Sequence, residues 1–112
     1  MTLRPLLDEL KRVDRPVWNQ LVTWNVNLTL PETSPLSLCI IQGVLQRACE
    51  NREWHWTAMR DPYQAGYRAE ISVVSESHIS DRIFIEDIAI RGGASPAEAL
   101  LAAYVAAVGR PA

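Results

Sequence analysis

Lysine is nearly missing from this chain: Lys11 is the single example, and arginine carries the rest of the positive charge. Lys and Arg together number 11 against 13 Asp and Glu, for a net charge of -2. Nonspecific affinity for nucleic acid comes mainly from neutralised phosphates. The chain has no basic excess to supply that, which argues against nucleic acid as a partner. The arginine bias, with the many alanines, points to a GC-rich bacterial or phage genome; it is a coding bias and says nothing of function. Cysteine is scarce as well. Cys39 and Cys49 fall ten residues apart in one predicted helix. A rise of about 1.5 Å per residue puts their backbones about 15 Å apart, too far for a disulfide. Both are expected to be small buried thiols. Neither they nor His55 and His78 show the short paired spacing of a zinc site, so no metal and no cofactor are expected. Long apolar runs are absent, which excludes a spanning helix. "MTLRPLLDELKRV" lacks the apolar core and cleavage site of a secretory signal, which predicts a cytoplasmic protein. The Asn27-Leu28-Thr29 sequon therefore carries little weight. Low-complexity tracts are missing too, so wholesale disorder is not expected.

What remains is the composition of one ordinary globular domain: 112 residues, 48% hydrophobic and 21% charged, enough to bury a core without staples. Leu3, Leu6, Leu7, Leu10 and Val13 recur at helical spacing, with Thr2 as a possible cap. Asp14 is placed to cap a second short helix, "RPVWNQLVTW", with Trp18, Leu21 and Val22 on one face. "NVNLTLP" alternates like a short extended segment. "SPLSLCIIQGVLQRACENR" reads as a helix capped by Ser34, with Pro35 at its first position. Its stripe is Leu38, Ile41, Leu45 and Cys49, widened by Ile40, Val44 and Ala48. Gly43 inside it suggests close packing against a neighbour.

Three strands are predicted next. "EWHWTAMR" puts Trp54, Trp56 and Ala58 on one face and His55, Thr57 and Met59 on the other. After the turn "DPYQAG", "YRAEISVV" separates Tyr67, Ala69, Ile71 and Val73 from Arg68, Glu70 and Ser72. Such alternation suits an antiparallel sheet with one face covered and one wet. "RIFIEDIAI" breaks phase between Ile83/Ile85 and Ile88/Ile90; a bulge near Glu86-Asp87 would restore the inward face. "SPAEALLAAYVAAVGRP" closes the chain as a helix. Ser95 and Glu98 have capping-box spacing, Pro96 takes the first position, and Gly109 ends it. The expected architecture is α+β. Residues 1–33 form an N-terminal extension and residues 34–109 an α-β-β-β-α core, with helices mainly on one sheet face.

That order occurs in double-stranded-RNA-binding domains, but their last helix opens with a lysine cluster, and here it reads "SPAEALLAA". The helix leading into "REWHWTAMR", the "GYRAEI" strand and the final "ASPAEALLAAYVAAV" helix resemble the phage ABA sandwich family of small phage and prophage proteins. The likeness covers roughly residues 34–109. The strand feeding an "SPAEAL" helix also resembles HicB-type antitoxins. The phage resemblance implies no catalytic residues. It implies a small accessory protein that contacts a host or phage protein, in its sharper form an inhibitor of an antiviral-defence component.

Several groups of residues are candidates for chemistry. His55, Thr57, Met59, Arg68, Glu70 and Ser72 would share an uncovered sheet face suited to a protein partner. The sheet edges and that face also leave room for a homo-oligomer. Arg91, Gly92 and Gly93, just before the last helix, form an anion-site candidate, with Tyr63 near the base of a nucleotide; this supports an alternative nucleotide-binding or sequestering function. A tight strand-to-helix turn that needs glycine is the simpler explanation of the pair. Ser75, Ser77, His78, Ser80 and Asp81 sit in one loop, whereas catalytic groups converge from separate segments. They read as turn residues, and the protein as a non-enzyme. Glu86-Asp87 could take a divalent ion, but reads better as a solvated edge that discourages strand pairing. Antitoxin-like or virion structural roles are further alternatives. Trp54-His55-Trp56 could stack a base, but alternation assigns the tryptophans to the core.

Overall fold

A computed structural model describes residues 3–23, 35–76 and 83–110. The elements run α1 (Leu3–Val13), α2 (Arg15–Thr23), α3 (Pro35–Asn51), β1 (His55–Arg60), β2 (Tyr67–Glu76), β3 (Ile83–Gly93) and α4 (Pro96–Val108). This is the α+β class expected. The Thr2 and Ser34 caps, the extended "NVNLTLP" segment and most of the "SESHISD" loop lie outside the described residues.

The helices form where apolar residues recur at 3.6-residue spacing, and each buries that stripe. Leu7 and Leu10 of α1, Val17 and Leu21 of α2, and Ile41, Leu45 and Cys49 of α3 meet in one core. The helices α1 and α2 of the expected N-terminal extension are thus part of the same core. Each fully buried leucine contributes about 2 kcal/mol. Between α1 and α2, the Asp14 carboxylate accepts the Val17 N–H at 3.4 Å, the expected cap. At the end of α3 the chain turns back through Glu53 at φ 59. There Trp54 N–H reaches the Cys49 carbonyl at 2.9 Å and Glu53 N–H the Glu50 carbonyl at 3.0 Å, the paired bonds of a Schellman cap.

α4 is the central helix, buried on nearly every side: Ala97, Leu100, Leu101, Tyr104 and Ala107 are all in the core. It packs over β2 and β3, with α3 and α1 against its flanks. Ser95 caps it by accepting the Glu98 N–H at 3.1 Å. The Glu98 carboxylate returns to the Ala94 N–H, one residue before the cap, closing a variant of the expected box.

The sheet is an antiparallel meander in the order β1-β2-β3. Its register pairs Trp56 with Ile71 and Ala58 with Ala69 on the helix side, and Thr57 with Glu70 on the other. Trp54 and Trp56 pack against the core, as their alternation predicts. β1 ends its pairing at His55 and Ser72, so β2 and β3 continue beyond it as a two-stranded ribbon.

The structure corrects several expectations. The bulge exists, but the unpaired residue is Ile88, between the Ile71–Ala89 and Ser72–Asp87 pairs. Ile88 and Ala89 therefore both turn toward the core, while Ile85 and Ile90 face outward, 70% and 40% exposed. Arg91, Gly92 and Gly93 extend β3 as paired strand residues. Gly93 lets the backbone of α4 come close: a Cβ there would lie 2.6 Å from Ala99 N. Val22 is exposed, since Val17 rather than Val22 shares the inward face with Leu21. Cys39 is exposed and Cys49 buried. Ten residues fall short of three full turns, so the two thiols point about 80° apart around the helix. Gly43 faces open space: outside its own helix backbone and chain neighbours, a Cβ there would have nothing within 4 Å, so it marks no close packing.

Candidate functional site

The helices cover one side of the sheet, and strict alternation assigns the other side its residues. All six expected partner-binding candidates come together there as three cross-strand pairs: His55 with Ser72, Thr57 with Glu70, and Met59 with Arg68. The third strand completes each rung with Asp87, Ile90 and Gly92. At the centre Arg68 Nη2 donates to Glu70 Oε1 at 2.7 Å, a partly buried ion pair. Arg68 Nε is buried without a hydrogen-bond partner among the described residues. Unpaired buried donors are rare and cost about 1–3 kcal/mol each. Met59 and Ile90, each 40% exposed, lie on either side of this pair, and Ile85 continues the apolar flank. The face therefore combines an ordered charged centre with exposed apolar side chains around it. That pattern can hold a protein surface.

The anion-site candidates are placed differently. Gly92 and Gly93 pair with Arg68 and Tyr67, and the Arg91 guanidinium donates to the Ile90 carbonyl at 2.8 Å. The carboxylate of Glu98 occupies the start of α4, where an anionic ligand would sit. Tyr63 is 85% exposed in the turn between β1 and β2, at the same end of the sheet as Gly93. Its N–H, with that of Gln64, donates to Asp61 Oδ1. Gly66 closes the turn at φ 102, and a Cβ there would lie 2.9 Å from the Gly93 carbonyl oxygen. Among the described residues no group of three His, Cys, Asp or Glu could hold a metal ion. No described helix is long and apolar enough to cross a membrane.

A second polar cluster lies on the opposite side of the molecule, inside the helical layer. Tyr104 Oη donates to Asp14 Oδ2 at 2.6 Å, Arg52 Nη2 donates to the same oxygen at 3.1 Å, and Arg52 Nε donates to Tyr104 Oη at 3.1 Å. Asp14 is buried. Burial, reinforced by the hydrogen bond to Asp14, holds the Tyr104 phenol well above its ordinary pKa. Trp54 packs beside it at a tilt of 59°, with ring centroids 5.9 Å apart, and the guanidinium groups of Arg52 and Arg110 lie 5.0 Å and 5.4 Å from the Trp54 centroid. The members are satisfied by one another, so the cluster ties the ends of α1, α3 and the middle of α4 together. Sequence reading missed it because its members are far apart in the chain. The one available signal was Tyr104, a hydroxyl within an apolar helix.

No family model, curated protein or solved structure matches the chain.

Proposed function

We propose that this is a small non-enzymatic binding protein that contacts another protein through the sheet face that no described helix covers. The observation that supports this reading is the face itself: an ordered Arg68–Glu70 pair flanked by exposed Met59 and Ile90, on a sheet whose other side is filled by helices. Exposed apolar side chains supply the contact area of a recognition surface, and the ordered ion pair beside them supplies polar specificity. With strands about 4.8 Å apart and about 3.3 Å per residue, one such face is small, on the scale of a transient contact. The resemblance to phage accessory proteins gives the proposal its sharper form, in which the partner is a component of host antiviral defence. Antitoxin-like and virion roles are other versions of the same protein contact. Nucleotide binding is not carried as a second reading, because Ser95 and Glu98 already engage donors around the start of α4.

The test is quantitative capture of a partner by the wild-type chain and by Met59→Asp and Ile90→Asp variants with unchanged melting temperatures. Both variants are expected to lose at least about tenfold in affinity, as truncation of a central contact does. Equal capture by all three proteins would refute the assignment of the face.

A further inference from the structure

The outer edge of β3 supports an inference that goes beyond the open face and does not depend on it. Among the described residues no strand pairs with that edge. The bulge at Ile88 divides β3 into two halves of opposite phase. Glu86 stands opposite Val73, and Arg91 opposite Ala69, so both lie on the helix side, with Ile88 and Ala89 between them. Ile85, Asp87, Ile90 and Gly92 lie on the outer side. Glu86 forms no ion pair with any described residue, and Arg91 turns back to the carbonyl of its own neighbour.

From this we infer that a second copy of the chain pairs antiparallel with β3, symmetrically about the Ile88–Ala89 peptide. Residues opposite one another in an antiparallel pair must share a face. Across a bulged strand, that condition selects the register. Centred on Ile88–Ala89, Glu86 meets Arg91 on the helix side, while Asp87 meets Ile90 and Ile85 meets Gly92 on the outer side. A shift of one or two residues in either direction sets a helix-side residue against an outer-side one. In the selected register Glu86 of each copy faces Arg91 of the other, so two opposite-charge pairs form around the two-fold axis. Charges and a bulge on an edge ordinarily prevent indiscriminate pairing. Here they also pick out one partner, another β3. The pairing uses up both β3 edges and therefore closes as a dimer rather than growing into a fibre. It also places two uncovered sheet faces side by side on the same side of one continuous sheet.

Sedimentation equilibrium on the purified chain, without any partner, tests this. The wild type is expected to be dimeric at high micromolar concentration. Glu86→Arg and Arg91→Glu each set like charges opposite one another twice and should raise the dissociation constant about tenfold. The double variant Glu86→Arg/Arg91→Glu restores the pairs in reverse and should recover the wild-type constant. Melting temperatures report whether each variant folds; Glu86→Gln and Arg91→Gln, which only remove the attraction, replace any reversal that does not. A monomeric wild type, a dimer insensitive to both single changes, or a double variant no tighter than the singles would overturn the proposal.

Discussion

Replacing Tyr104 with phenylalanine removes one oxygen and leaves the ring in place. The lost hydroxyl donates to a buried carboxylate at 2.6 Å and accepts from Arg52 at 3.1 Å. Hydrogen bonds to charged groups contribute about 1.5–3 kcal/mol, so the loss should be about 2 kcal/mol, lowering the melting temperature by about 8 °C. Asp14→Ala removes the same bond and the cap of α2, for a total of about 3 kcal/mol. The Arg52–Asp14 contact adds little, because the Arg52 side chain is 41% exposed. Since both changes break one shared bond, the double variant should cost about 1–2 kcal/mol less than the sum of the singles. Urea unfolding followed by tryptophan fluorescence reads the cycle, with Trp54 lying 5.9 Å from the Tyr104 ring. Additivity within about 0.5 kcal/mol would refute the idea that the cluster acts as one unit.

Three further outcomes follow from local geometry. Gly43→Ala should stabilise the protein by about 1 kcal/mol, because the new methyl meets open space and alanine favours helix; thermal melting checks it. Glu53→Gly should also stabilise, by about 0.5–1 kcal/mol, because Glu53 sits at φ 59 in a cap position that glycine occupies without strain; unfolding in urea measures it. Burial pushes the Cys49 thiol from 9.0 up to about 12. A folded-state value raised above the unfolded one gives stability that is full below pH 9 and is lost as pH rises from 9 toward 12. Stability measured across that window should fall with pH, and Cys49→Ala should flatten part of the slope.

Period and capping chemistry made most of the architecture legible. The alternation in "EWHWTAMR" and "YRAEISVV" assigned six residues to one face, and the structure places all six there. Ser95, Glu98 and Gly109 marked the ends of α4 through bonds that are local in sequence. β3 was harder. A bulge changes which residues face the core, and a small shift in its location moved Ile90 from the inner to the outer face. The glycines at 92 and 93 read as a turn because glycine is common in turns; the close approach of α4 to Gly93 depends on tertiary packing. The Asp14–Arg52–Tyr104 cluster joins residues 38, 52 and 90 positions apart, beyond the reach of any local pattern.

Recognition through the uncovered sheet face is tested most directly by site-specific photo-crosslinking. The crosslinking residue is placed at Met59, at Ile90 and, as a control on the helical layer, at Arg47. Met59 and Ile90 are expected to crosslink to the same partner protein, and Arg47 is not. Crosslinking from Arg47 with none from either face position would contradict a role for the face.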